Sequence, residues 1–241
     1  MNVRTFLPTL TLCFFALSAA AQSALPDSSA HYGAEDQVIS RYNQVIGDQA
    51  EIYNGPRYYL LPRALRGSPY FLETPTFQPA VIRYNGTSYS NVPVLYDAFA
   101  DVMASYVRDV LYTFRTDRLT DVYLAGHHFV YMDASKSLNL TPGYYDQLYG
   151  GSSEVVVKRS RGVVNRAGSQ GVETFYENHD DIYIRKGKAF VPVNSKGSVL
   201  KVFKDKADRL KQYLSGNKIA YRKDKEGSIE KLAAYYDKLS L

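Results

Sequence analysis

Residues 57–194 consist of short segments rich in Val, Tyr, Phe and Thr that are separated by turn signals. Asn85-Gly86 stands between two such segments, and Asn-Gly is the strongest short hairpin signal because both turn positions need a positive φ angle. Weaker signals occur at Ala125-Gly126, Gly150-Gly151 and Lys186-Gly187. The pattern predicts about a dozen strands and a mainly β (α+β) fold, an antiparallel β-meander forming a curved sheet, a sandwich or a partial barrel. We expect the longest loop at residues 160–171.

The period of the apolar residues changes after Ser195, where they recur at spacings of three and four: Leu200, Phe203, Ala207, Leu210 and Leu214. This spacing predicts one amphipathic helix. A second stripe follows an extended segment at residues 218–222 and has Ser228 as its expected N-cap: Ile229, Leu232, Tyr236 and Leu239. Residues 195–241 are therefore predicted to form a helical pair packed on the sheet. A short helix over residues 35–53 is predicted to precede the strands in a domain of residues 35–194.

Residues 1–21 have the composition of a secretory signal peptide: Arg4, a short apolar stretch and Ala19-Ala20-Ala21. A retained N-terminal anchor is the alternative. We expect cleavage after Ala21, a disordered leader at residues 22–34, and export to the periplasm, the outer-membrane surface or the medium. The single Cys, Cys13, lies within the apolar stretch, so no disulfide framework and no Cys-based metal site is expected. Export without cysteine is typical of a bacterial envelope protein.

Several segments together carry a resemblance to a known group of proteins: YNGPRYYL, GSPYF, RYNGTSYSNVPVLYDAFAD, FVPV and the closing helical pair. The chain resembles an uncharacterised family of exported β-rich proteins from Gram-negative bacteria. The resemblance covers most of the chain after residue 21 and implies a β-rich fold and an exported location. It implies no catalytic residues and no ligands.

Catalytic motifs with a short signature are absent: the sequence has no G-x-S-x-G, H-E-x-x-H, Walker A or G-x-G-x-x-G pattern. No cofactor is predicted. If the protein is a hydrolase, its acid and base are sought among paired carboxylates and a neighbouring histidine: Asp97, Asp101, His179 and Asp181. The alternative is that Asp97 and Asp101 cap turns at strand ends by accepting bonds from local backbone N–H groups.

Adjacent His127 and His128 are expected on opposite faces of one strand. One of them could meet His179 and a carboxylate, Asp180 or Asp181, in a mononuclear metal site. The alternative, which we favour, is that one histidine is exposed and the other is hydrogen-bonded. No metal site is therefore predicted.

Tyrosines cluster along the predicted strands, and the chain has 22 of them and no Trp. An amphipathic ring suits a strand with one wet face and offers contact area at low entropic cost. Candidate ligand-binding rings are Tyr58, Tyr84, Tyr96, Tyr144 and Tyr149. Ordinary packing within a half-buried sheet is the alternative for each ring.

The charge is unevenly distributed: residues 185–241 hold 15 Lys and Arg against 6 Asp and Glu, whereas residues 22–184 hold 13 against 18. Lys201, Lys204 and Lys211 are candidate contacts to an anionic surface. The alternative is a solvated helix with its own i,i+4 pairs, Lys201–Asp205, Lys204–Asp208 and Asp205–Arg209. Export argues against nucleic acid as a partner, and no transmembrane span is expected.

These patterns favour an exported, non-catalytic binding or structural protein with an envelope glycan, peptide or protein as its partner. Two alternatives stay open. One is a hydrolase acting on envelope glycan or peptide, and the other is a peripheral adaptor to anionic envelope surfaces through the basic C-terminal helices.

Overall fold

The computed structural model describes residues 47, 51–60, 65–133, 139–168 and 171–240. The predicted signal peptide, the leader and most of the predicted helix over residues 35–53 lie outside this part of the chain. Ten strands form one antiparallel sheet: β1 (Gln78–Tyr84), β2 (Thr87–Asp97), β3 (Val102–Val107), β4 (Val110–Thr113), β5 (Leu119–Leu124), β6 (His127–Met132), β7 (Gly143–Tyr149), β8 (Val155–Gly168), β9 (Gly171–Lys186) and β10 (Ala189–Val193). The predicted mainly β fold with C-terminal helices is confirmed, in the form of a single curved open sheet.

The strand order is β10-β9-β8-β7-β6-β5-β1-β2-β3-β4. The sheet is therefore two meanders, β1–β4 and β5–β10, joined by antiparallel pairing of β1 with β5. The link from β4 to β5 is a tight turn in which Leu119 N–H donates to the Arg115 carbonyl. Because the sheet curls, this short link can connect β4 to β5. The ring of Phe114, which follows β4, accordingly lies 6.2 Å from the ring of Tyr84 on β1.

The hairpin turns follow the backbone chemistry of their residues. Asn85-Gly86 and Ala125-Gly126 both adopt two positive φ angles, which confirms the predicted β1–β2 and β5–β6 turns. The predicted turns at Gly150-Gly151 and Lys186-Gly187 are also confirmed between their strands. The β3–β4 turn uses Arg108-Asp109, again with two positive φ angles, although Arg is not a usual turn residue.

The prediction of a long loop at residues 160–171 is wrong, because residues 160–168 and residue 171 belong to strands β8 and β9, which form the longest hairpin of the sheet. Strands β8 and β9 pair continuously from Val155 opposite Ile184 to Gly168 opposite Gly171. Cross-strand contacts hold the outer part together, including the ion pair of Arg166 with Glu177 and the bond from Thr174 to Asn165. These contacts stabilise a pair of strands that the Gly- and Ser-containing sequence did not indicate.

Both outer strands have partners along their free edges. On β4, Tyr58 N–H donates to the Leu111 carbonyl and Thr113 N–H donates to the Pro56 carbonyl. On β10, the Asn139 side chain bonds both the N–H and the carbonyl of Phe190. Covering the edges in this way blocks edge-to-edge aggregation.

The C-terminal part contains three α-helices, α1 (Lys196–Val202), α2 (Ala207–Gly216) and α3 (Lys225–Lys238). The single helix predicted across Leu200–Leu214 is therefore wrong: it breaks at Phe203, and a 3₁₀ turn (Lys204–Lys206) follows. The buried Phe203 ring stacks on Tyr236 of α3, so tertiary packing overrides the local stripe. The predicted N-cap is also corrected, because Asp224 caps α3 through Gly227 N–H whereas Ser228 is buried inside it.

The helices cover β7–β10 and build an aliphatic core with them, which contains Val155, Ile184, Leu210, Ile229 and Leu232. The inner face of β1–β7 builds a second core that is dominated by rings, including Tyr84, Tyr96, Phe129 and Tyr144. No helix within the described residues is long and apolar enough to cross a membrane.

Candidate functional site

Asp97 and Asp101 lie in the turn between β2 and β3. Asp97 is fully buried, accepts a bond of 2.7 Å from the Tyr58 hydroxyl, and accepts two more from the backbone N–H groups of Phe99 and Ala100. These bonds are those of a turn cap, so the structure favours the structural alternative over a catalytic role for Asp97.

Asp101 joins this turn to β7 and β8. Its carboxylate accepts bonds from the Tyr96 hydroxyl at 2.7 Å and from Lys158 Nζ at 2.5 Å. It also lies 3.3 Å from the backbone N–H of Tyr144. Asp101 therefore holds the β2–β3 turn against β7 and β8 across the curled sheet.

The other two predicted catalytic residues lie on β9. Asp181 is exposed and pairs in register with Lys158, the lysine that binds Asp101. The side chain of His179 is 52 % exposed. Of the predicted set, Asp101 and Asp181 thus flank one lysine, whereas Asp97 is enclosed in its turn. The four residues do not share one cleft.

Three of the five tyrosines predicted to bind ligand are in the core. Tyr84, Tyr96 and Tyr144 are fully buried, so the expectation of exposed rings is corrected at these positions. The curl of the sheet turns their strand faces inward. Burial raises the pKa of Tyr96 and Tyr144, with nearby Asp101 adding to the increase. The hydroxyls of the half-buried Tyr58 and Tyr149 bind Asp97 and Asp237.

The lysines predicted to contact an anionic surface are exposed, and Lys211 bonds Asp208 at 2.9 Å. Asp205, expected to pair within its helix, instead contacts Lys186 and accepts a bond from the Tyr236 hydroxyl. Because the helix breaks at Phe203, the charged residues that were predicted to pair at i,i+4 do not lie on one continuous helix. Lys201 and Lys204 remain candidates on an exposed face.

Each of the adjacent histidines is oriented by a different aspartate. His127 Nδ1 lies 2.7 Å from Asp146 Oδ2, and His128 Nε2 lies 2.9 Å from Asp121 Oδ1. Within the described residues no group of three or more His, Cys, Asp or Glu side chains is arranged to hold a metal ion. The histidines thus meet aspartates of β7 and β5 rather than His179, Asp180 or Asp181.

Asp146 belongs to a buried charged network. Its side chain is only 1 % exposed and accepts bonds from His127 and from Nε and Nη2 of Arg159. Arg159 also binds Asp180 on β9 and Glu226 on α3, and its guanidinium lies over the ring of Phe71. One arginine therefore connects three strands to a helix.

The ionisation of the aspartates determines the roles of the imidazoles. Burial opposes the ionisation of Asp146, but the bonds from His127 and Arg159 outweigh it and lower its pKa. The bond from His128 lowers the pKa of Asp121, against the effect of burial. Because an ionised carboxylate only accepts, each imidazole donates its N–H to its aspartate. In each neutral ring the other nitrogen, Nε2 of His127 and Nδ1 of His128, is therefore an acceptor.

Both residues line an open groove of about 620 Å³ beside the β5–β6 turn. Their rings lie on opposite faces of β6: that of His128 stacks on Tyr123, and that of His127 packs on Phe71 and Phe129. A β-bulge shapes its wall: Ala80 pairs with Val92 and Ile82 with Tyr89, which leaves Asn91 with a φ of 57°. Bulges often re-aim side chains beside functional sites. We call this feature the histidine groove and define it by Val81, Asn91, Tyr123, His127 and His128.

Tyr123 provides an aromatic surface in the histidine groove. It is 48 % exposed, and its ring stacks on that of His128 at 4.2 Å with an interplanar angle of 3°. The two residues are direct cross-strand partners. The outer face of the groove thus combines the ring of Tyr123, the oriented acceptor nitrogen of His128 and the exposed Asn91. Such a set suits a ligand that carries hydroxyl donors and an apolar face.

Sequence reasoning identified the two histidines but not Tyr123, Asn91, Asp121 or Asp146 as their neighbours. The available signal was local: Tyr123 and His128 flank the Ala125-Gly126 hairpin symmetrically, and strand pairing across that turn places them side by side. The His127–Asp146 contact joins different hairpins and had no such signal.

Comparison with known proteins yields no relative: no family model, no curated protein and no solved structure matches this chain.

Proposed function

We propose that this protein is an exported, non-catalytic glycan-binding protein of the bacterial envelope, and that its ligand binds in the histidine groove. The observation that carries the proposal is the aspartate-oriented imidazole of His128 stacked on the exposed ring of Tyr123. The proposal of export rests on the apolar segment of residues 1–21.

The chemistry of a sugar matches that of the groove. A sugar hydroxyl can donate a hydrogen bond to the acceptor nitrogen of His128, and the C–H face of a sugar ring can pack on the ring of Tyr123. Because Asp121 and the stack on Tyr123 hold the imidazole of His128 in place, little side-chain entropy is lost on binding. Asn91 supplies a further donor and acceptor at the groove wall.

Binding of the purified protein to arrays of bacterial envelope glycans and of peptides tests the proposal. We expect glycan binding, and we expect Tyr123→Ala to weaken it about tenfold through loss of ring contact. Tyr59→Ala is the matched control because Tyr59 is 71 % exposed but does not line the groove. Absence of glycan binding, or equal losses in the two variants, would contradict the proposal.

A hydrolase is the second candidate, and the His127–Asp146 pair is the observation that favours it. A carboxylate that orients an imidazole with a basic Nε2 is the arrangement of a general base. In such a reaction His127 would take a proton from water as the water adds to the scissile bond, and would return it to the leaving group. Mass spectrometry of the glycan after incubation separates the two functions: an unchanged mass supports binding, and cleavage that His127→Ala abolishes supports hydrolysis.

A further inference from the structure

The helical end of the molecule contains a second groove, with a volume of about 850 Å³. Exposed cations line it together with partly buried apolar side chains. We call it the basic groove and define it by Lys196, Lys211, Arg222, Lys223, Leu214, Ile219 and Tyr221. It lies on the helices and shares no lining residue with the histidine groove.

Backbone geometry at the end of α2 builds the apolar wall of this groove. Lys218 has a φ of 53°, and Ile219 N–H donates to the Leu214 carbonyl at 2.9 Å, as in a Schellman motif. The motif folds residues 219–223 back along the helix and places Ile219 beside Leu214. The segment at residues 218–222 is thus a helix end and a turn rather than the extended stretch that the sequence predicted.

The charge of the basic groove is of one sign. The described residues that line it include four cations and no Asp or Glu. Lys211 bonds Asp208, which lies outside the lining, while Lys196, Arg222 and Lys223 are all exposed. Cations clustered on concave, partly apolar walls attract anions more strongly than the same charges spread over a convex surface.

The apolar walls distinguish between anionic ligands. Leu214 belongs to the aliphatic core, and Ile219 and Tyr221 pack against that core from the groove side. A free phosphate ion would fill only a small part of the groove and would leave its apolar walls in water. A molecule with a phosphate head and an acyl chain would satisfy both kinds of wall.

We infer that the basic groove binds the headgroup and upper acyl chain of an anionic phospholipid, and so docks the helical end on a membrane surface. Lys196, Arg222 and Lys223 contact the phosphate, and Leu214, Ile219 and Tyr221 contact the acyl chain. This inference goes beyond glycan binding and does not depend on it. It assigns the anionic contact to a concave site instead of the exposed Lys201 and Lys204.

Co-sedimentation of the purified protein with vesicles tests the inference, using phosphatidylglycerol mixed with phosphatidylcholine against phosphatidylcholine alone. We expect binding to the anionic vesicles only. The triple variant Lys196→Glu, Arg222→Glu, Lys223→Glu should weaken partitioning by at least about a hundredfold, because the loss of each surface cation costs roughly fivefold and the introduced carboxylates add repulsion.

The matched control is Lys201→Glu, Lys204→Glu, Lys231→Glu, which changes the net charge equally with exposed lysines outside the groove. It should bind at least tenfold more tightly than the groove variant, and thermal unfolding checks that both variants are folded. Equal losses in the two variants, no binding by the wild type, or full displacement by millimolar inorganic phosphate would each overturn the inference. A loss of glycan binding at the histidine groove would leave this test unaffected.

Discussion

The core of the curled part of the sheet, β1–β7, buries seven aromatic rings among its aliphatic side chains. Within the described residues, the core between β8–β10 and the helices buries one ring, that of Phe203, and is otherwise aliphatic. Where the sheet curls so that strands face other strands, it leaves a broad interior. The rings that fill this interior include Tyr84, Tyr96, Phe129 and Tyr144. A sheet that meets helices leaves narrow grooves between side chains, and these suit Val, Ile and Leu. The difference shows that many tyrosines of this chain serve the core rather than a binding surface.

The two parts also differ in their polar contacts. The ring core contains buried hydroxyls, and within the described residues those of Tyr84 and Tyr144 have no hydrogen-bond partner. Several polar contacts link the two parts, and one of them is buried at Arg159, which joins Asp146 at the edge of the ring core to Glu226 on α3. Stability at this junction therefore depends on charge pairing, while each core depends on apolar burial.

Removal of Arg159 should have the largest effect. Arg159→Ala leaves Asp146 buried without its main partner and should lower the free energy of unfolding by about 3–5 kcal/mol, as measured by urea denaturation. Arg166→Ala is the matched control, because the Arg166–Glu177 pair is exposed and should contribute about 0–1 kcal/mol. Similar costs for the two variants would show that the junction is not a stabilising contact.

Acid should weaken the same junction, to a smaller extent because Arg159 keeps Glu226 when Asp146 is protonated. The folded-state pKa values of Asp146 and Asp121 are lowered, so their contributions are present above the unfolded pKa of about 3.9 and are lost as the pH falls through the folded values. Urea denaturation between pH 7 and pH 2 should show this loss. The acid-induced loss of stability should be smaller in Asp146→Asn, and an unchanged pH profile in that variant would contradict the assignment.

The smallest expected effects lie inside the ring core, at two neighbouring tyrosines. Tyr96→Phe removes a hydroxyl that bonds Asp101 and the Arg159 carbonyl, and should cost about 1–2 kcal/mol of unfolding free energy. Tyr144→Phe removes a hydroxyl without a partner in the described residues and should be neutral or slightly stabilising. Thermal or urea unfolding of both variants checks this difference, and a larger cost for Tyr144→Phe would contradict it.

The sequence predicted those elements whose signals are local. Asn85-Gly86 and Gly187 identified hairpins because these residues accept positive φ angles, and the change of period near Ser195 identified the start of the helices. Prediction from the sequence failed where contacts between residues distant along the chain decide the secondary structure. Cross-strand partners turn residues 160–168 into a strand, and packing of Phe203 on Tyr236 interrupts a stripe that reads as one helix.

The candidate sites follow the same division. Residue type alone identified His127 and His128 as chemically interesting, and the excess of basic residues after residue 184 identified the helical end as a possible anionic contact. The aspartates that orient the imidazoles come from β5 and β7, and the cations of the basic groove come from α1, α2 and the turn before α3. Such sets assemble only when separate elements pack together.

By itself, the sequence determined the antiparallel β class, several of its turns and the helical C-terminus, since backbone preferences act over a few residues. Only the tertiary structure decided which tyrosines are buried, how β1 joins the two meanders, and which charged side chains meet. The physical reason is that the alternation of residues along a strand shows which side chains share one face of the sheet. The curvature of the sheet then decides whether that side is solvent or core.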